Sequence, residues 1–131
     1  MPLMKMKHIL TIFLSISTVL LTAQQSNYRR ILIFAPDSAN VAFANQNRFF
    51  QKEDAACVER DIIVENYVVN KRGTPFFEKY QISTREFTLI LIGKDGFVKL
   101  RSKEVVTPKR IYALVDAMPM RKDEKRKMKK Q

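Results

Sequence analysis

Two short runs constrain this chain more than anything else in it. Residues 31–35 read ILIFA and residues 87–92 read FTLILI. Neither carries a charge, and apolar side chains follow one another without alternation. A strand wet on one face alternates apolar with polar, so each run is expected to be a strand buried on both faces. Strands of that kind lie inside a sheet covered by helices above and below, which predicts an α/β domain. The 131 residues suffice for one such domain and one sizeable core.

The segments around these runs complete the pattern. Pro36 ends ladder pairing for the first run. Asp37, Ser38 and Asn40 are all good N-cap residues for a long helix expected over 39–58. Its apolar face has Phe43, Phe50 and Cys57 at seven-residue spacing, flanked by Ala42, Phe49 and Ala56. Gln46, Lys52, Glu53 and Asp54 interrupt that face. Residues 62–69, IIVENYVV, read as a strand. Thr74-Pro75 reads as a cap followed by proline at the first helical position, with Phe76, Phe77 and Tyr80 on one face. Asp95-Gly96 predicts a hairpin from the second buried run into 97–101, FVKLR, with Lys99 and Arg101 on a wet face. Thr107-Pro108 repeats the helix start, and Ile111, Leu114, Val115 and Met118 form a helical stripe that Pro119 is expected to end. Ser83 and Glu86 match a capping box, but a β-rich run follows, so no helix is expected there.

The expected order is therefore β-α-β-α-β-β-α. It describes a four-stranded mixed sheet with helices on both faces. The first two strands are parallel through a right-handed crossover.

The first 23 residues are set apart. Lys5, Lys7 and His8 precede an apolar run over 9–21, and Ala23 follows as a small residue before Gln24. This is the layout of a secretory signal peptide, and the run is shorter than the ~20 residues of a membrane span. The expected organisation is a leader over 1–23, a domain over 24–120 and a basic tail over 121–131, in a protein exported to the periplasm or the exterior. His8 is the only histidine. Its removal leaves no Ser-His or Cys-His pair and no histidine metal site. No cofactor and no metal are expected. A single cysteine, Cys57, cannot form an internal disulfide.

Charge is concentrated in the tail. Without Lys5 and Lys7, 22 basic residues exceed 13 acidic ones by nine, and residues 121–131 supply five of those nine charges. One reading is a solvated, frayed tail that aids solubility. The other is contact with an anionic surface: a cell-envelope component or the periphery of a membrane. Nucleic acid is a weaker candidate, since no aromatics interleave with these charges.

Phe34-Ala35-Pro36, then Tyr80-Gln81-Ile82 and Thr88 to Gly96, resemble the corresponding parts of a thioredoxin core. Residues 32–36, Glu59-Arg60-Asp61, Leu91 to Gly96, Val98 to Arg101 and Asp116 to Arg121 together resemble the thioredoxin-like domain of unknown function 4174. That family occurs in small secreted bacterial proteins, with related domains in sushi-repeat extracellular proteins. The resemblance implies a thioredoxin-like fold and export, and no particular activity. Ser38 and Val41 stand where thioredoxins carry the two cysteines of Cys-x-x-Cys. Phe87 stands where they carry a proline of the substrate groove. Asp37 also places a negative charge where a thiolate would need a positive one.

The function expected from these residues is a secreted, non-redox thioredoxin-like binding or interaction domain of unknown ligand. The alternative is a one-Cys thiol oxidoreductase or peroxidase working through Cys57, and a third reading is a structural accessory. The expected partner is a protein or an anionic envelope component. Asp37, Ser38, Asn40 and Arg85 are the candidate ligand-binding residues, at the end of the sheet where the first strand leaves and the third enters. The competing expectation there is an Asp37–Arg85 ion pair that closes the site.

Overall fold

The computed structural model describes residues 24–131; the expected leader lies outside them. Strand β1 (Arg29–Ala35) and strand β3 (Thr88–Ile92) occupy the middle of a four-stranded sheet, flanked by β2 (Ile62–Val68) and β4 (Val98–Ser102) in the order β2-β1-β3-β4. β1 runs parallel to β2 and antiparallel to β3, and β4 runs antiparallel to β3. These are the order and directions of a thioredoxin-like core, and the α/β expectation is met.

The two-faced burial follows from the unbroken apolar runs. Every residue of β3, and Ile31 to Ala35 of β1, is buried. Ile31, Ile33, Leu89 and Leu91 pack on one side with Phe50, Cys57, Ile111 and Val115. Those four come from helices α1 (Val41–Lys52), α2 (Asp54–Glu59) and α4 (Pro108–Asp116). Leu32, Phe34, Ile90 and Ile92 pack on the other side against Phe77 of helix α3 (Thr74–Lys79). Phe34 meets Phe77 edge-on at 5.0 Å and stacks on Tyr67 at 5.1 Å. The β3–β4 turn has Gly96 at φ 81°, a left-handed conformation that glycine adopts without steric cost.

Four details differ from the sequence reading. The long helix over 39–58 is two helices. Lys52-Glu53-Asp54 offers no apolar face, and at Glu53 (φ −116°, ψ 24°) the chain steps before α2 begins. Gln46, which interrupts the apolar stripe, is fully buried all the same. Its carboxamide donates to the Val106 carbonyl and accepts from the Val106 N–H, both at 2.8 Å, so the polar group is satisfied on both sides. Thr74 opens α3 from inside, and Gly73 occupies the cap position.

The fourth difference concerns the tail. Pro119 does not end the helical pattern; it starts helix α5 (Pro119–Met128), because proline at a first helical position forfeits no intrahelical bond. The expected boundary at residue 120 thus falls within α5, and the segment from Arg121 is helical rather than frayed. Arg121 is 1% exposed. Its guanidinium donates to the Glu59 carbonyl at 3.0 Å, to Glu59 Oε1 at 2.9 Å and to Asp116 Oδ1 at 3.4 Å. One turn on, the Glu124 carboxylate accepts two hydrogen bonds from Arg29, at 3.2 and 3.3 Å, and one from Lys94 Nζ at 2.7 Å.

Arg29 is 1% exposed, so Glu124 neutralises a charge that has no access to water. Removing one partner of a buried pair costs about 3 kcal/mol or more, because the other charge stays behind. Glu124→Gln is expected to lower unfolding stability at pH 7 by about that amount, read by denaturant unfolding. Burial opposes ionisation of Glu124 and Asp116, but hydrogen bonds from Lys94 and Arg29, and from Arg60, prevail and hold both carboxyls below their ordinary values of 4.5 and 3.8. Lowered folded pKa values give stability that is complete above the ordinary values and is lost as pH falls through the folded ones. The wild type should therefore weaken below about pH 4.5, and the Glu124→Gln variant should weaken less steeply. Equal stability of the two proteins at pH 7 would refute the assignment.

Candidate functional site

Strand pairing gathers the candidate residues at one end of the sheet. Phe34 of β1 lies opposite Thr88 of β3. The 36–40 loop that leaves β1 and the 83–87 segment that enters β3 therefore emerge together, at the carboxyl end of β1. No helix forms over 83–87; Ser83 Oγ instead accepts the Arg85 N–H at 3.2 Å.

The four candidates are not equivalent once folded. Asn40 caps α1, its side-chain oxygen accepting the Phe43 N–H at 3.0 Å. Asp37 Oδ1 accepts the Ala39 N–H at 2.9 Å, in a local turn. Both side chains thus serve the backbone first. Ser38 and Arg85 are exposed, and among the described residues neither side chain has a hydrogen-bond partner. No ion pair joins Asp37 to Arg85 among the described residues. Pockets of about 320 to 560 Å³ open elsewhere on the molecule.

Cys57 lies toward the other end. It is 5% exposed, near the end of α2, and Ile62 just beyond it pairs with Arg29 at the amino end of β1. The length of β1, about 20 Å at strand rise, separates that end from the 36–40 loop. Cys57 Sγ sits 3.4 Å from Tyr112 Oη. Burial pushes the Cys57 thiol up, and the neighbouring Asp54 and Glu53 charges add to the effect; the Tyr112 hydrogen bond and Arg60 oppose it without reversing it.

The amino end of β1 holds a charge network that the sequence reading missed. Lys94 Nζ bridges Glu124 Oε1 at 2.7 Å and Asp61 Oδ2 at 2.8 Å. Arg60 makes a two-pronged pair with Asp116 at 3.1 and 3.2 Å and stacks 4.5 Å from the Tyr112 ring centre. Asp61 reaches its place through a left-handed turn, φ 51°, between α2 and β2, a conformation that aspartate tolerates. One signal was in the sequence: Arg29 lies two residues before Ile31, where a run buried on both faces begins, so a charge carried inward there needed a partner. The distance to Glu124 hid which one.

The family model described as Domain of unknown function (DUF4174) matches residues 20–124. The chain belongs to that family. No curated protein matches the chain. The matched span of the DUF4174 domain includes β1, the hairpin and α5 as far as Glu124, and so covers both ends of the sheet.

The DUF4174 domain's one thiol is thus enclosed and poorly ionised. Iodoacetamide at neutral pH is expected to leave Cys57 unlabelled in the native protein and to label it fully after denaturation, as intact mass would show. Rapid native labelling would mean an accessible thiolate.

Proposed function

We propose that this protein is an exported, non-redox binding module that docks on an anionic component of the cell envelope through the outer face of α5. Support comes from the way folding sorts the charges of that helix. Arg121 and Glu124 point inward and Lys125 pairs with Asp116 at 3.4 Å. Lys122, Arg126, Lys127, Lys129 and Lys130 remain exposed, against Asp123 alone. Residues 121–131, with seven basic and two acidic residues, therefore present an exposed surface with a net charge of four on α5 and the turn that follows it.

The leader-like layout of residues 1–23 supports export, and the anionic lipids and polymers of a cell envelope would then be within reach. A binding role is favoured over the one-Cys reading because Ser38 and Val41 occupy the expected thiol positions and Cys57 is buried against Tyr112. Each cation near an anionic surface contributes about 1 kcal/mol. Four net charges then give about 4 kcal/mol, or millimolar affinity on charge alone.

Co-sedimentation with phosphatidylglycerol vesicles tests the reading. Binding is expected at low salt, with strong loss at high salt and little binding to phosphatidylcholine. The triple variant Lys127→Glu, Lys129→Glu, Lys130→Glu should stay folded and lose the interaction. Binding that ignores salt and survives the triple variant would refute the docking face.

A further inference from the structure

We infer that the cleft between the β3–β4 turn and the α4–α5 junction is a binding site for a small amphipathic anion, a single short acyl chain with a negatively charged head. The cleft exists because α4 stops at Asp116 and α5 restarts at Pro119. The break leaves about 320 Å³ between the junction and the hairpin. That volume is at the low end for small-molecule sites, which excludes a whole two-chain lipid and suits one short chain.

The lining is divided by chemistry. Leu114, Ala117, Met118 and Met120 form an apolar wall. Met118 packs partly on the core, while Leu114 is 37% exposed and Met120 45%, so the outer part of this wall faces solvent. Methionine side chains adapt their shape to a flexible chain more readily than branched ones. The hairpin side carries the charge. Arg29, Lys94 and Lys99 line the cleft, and Asp95 is the one carboxylate among its lining residues.

These cations differ in availability. Glu124 and Asp61, neither of which lines the cleft, hold Lys94 in position, and Glu124 also holds Arg29. Lys94 is thus pre-placed without a carboxylate of the cleft itself, while Arg29, 1% exposed, stays behind it. Among the described residues Lys99 pairs with Asp95 alone, at 2.6 Å, and both side chains are about one-third exposed. A pair that wet can be exchanged for a ligand carboxylate with little loss. Gly93 lets the Lys99–Asp95 pair lie close over the backbone: a Cβ there would come within 2.7 Å of Lys99 and 2.8 Å of Asp95. The Nη atoms of Arg29 are bonded to Glu124 and the Arg60 carbonyl, while its buried Nε–H has no acceptor among the described residues. Buried donors are seldom left in that state.

An uncharged chain would make no use of the third N–H of Lys94 or of the exchangeable Lys99 ammonium, and a small inorganic anion would leave the apolar wall wet. The chemistry that uses both is an amphipathic monoanion. Its source could be a free carboxylate or one chain of an anionic lipid, and the test separates them. The site does not depend on the outer face of α5.

Titration of the full protein with decanoate, followed by calorimetry and two-dimensional NMR, is the direct experiment. Saturable binding is expected below the range where decanoate self-associates, with shifts confined to the hairpin turn and the α4–α5 junction. Decanol should bind much more weakly. Lys99→Gln should weaken decanoate about tenfold, the loss of one hydrogen bond to a charged group. Ala117→Trp, at an exposed position, should fill the cleft and abolish binding. If that variant fails to fold, Met120→Glu places a repelling charge on the same wall and should also abolish it. The triple lysine variant of α5 should retain decanoate. Vesicle binding that falls with Ala117→Trp would assign the lipid chain as the source, and unchanged vesicle binding would assign the free carboxylate. Absence of saturable binding, or wild-type affinity in both Lys99→Gln and Met120→Glu, would overturn the site even where the salt-sensitive vesicle result stands.

Discussion

The carboxylate of Glu124 is the point on which much of this molecule rests. β1 is buried on both faces, so its first residue, Arg29, is carried into the interior with its charge. Only a carboxylate brought from outside the sheet can answer it, and α5 delivers one 95 residues later in the chain. The same carboxylate holds Lys94 at the start of the β3–β4 turn. One side chain thus ties the central strand, the hairpin and the last helix together. A buried pair of this kind is not a gain over an apolar substitute. Its effect is specificity: α5 can dock in one register, with Arg121 and Glu124 inward.

That register explains how a helix so basic holds its shape. Lys122 and Arg126, Lys125 and Lys129, and Arg126 and Lys130 are like charges at helical neighbour spacing, each pair mildly destabilising. An isolated ten-residue helix is marginal even without such repulsion. Tertiary anchoring at Arg121 and Glu124 overrides both. Folding and charge display are therefore one constraint, since the contacts that secure α5 also decide which of its cations face solvent.

Much of the fold was legible because its signals were local. The unbroken runs at 31–35 and 87–92 reported burial on two faces, Asp95-Gly96 reported the hairpin, and Thr107, whose hydroxyl accepts the Arg110 N–H at 3.4 Å, reported a helix start. What escaped depended on partners far away in sequence. Gln46 looked like an interruption because its partner, Val106, lies 60 residues on. Pro119 looked like an end because nothing beside it announced that Arg121 would be buried. At the candidate site, the placement of residues 36–40 beside 83–87 followed from topology and could be read in advance. The division of labour within it could not: whether Asp37 and Asn40 serve the backbone or a ligand depends on turn geometry that composition does not carry.

The two ends of the sheet consequently differ in kind. The carboxyl end of β1, where thioredoxins place their thiols, offers an exposed hydroxyl at Ser38 and an exposed guanidinium at Arg85 on a surface lined by turns. The amino end offers cations held by carboxylates, an apolar wall and a basic helix within one neighbourhood, and the break between Asp116 and Pro119 brings the helix there. Had α4 continued without that break, its axis would have carried Arg121 and Glu124 past their partners, leaving Arg29 buried and unanswered. The break that satisfies Arg29 is the break that opens the cleft. Closing the cleft by straightening the helices would therefore cost the core its counter-charge, and this coupling gives an otherwise solvent-exposed groove a fixed shape.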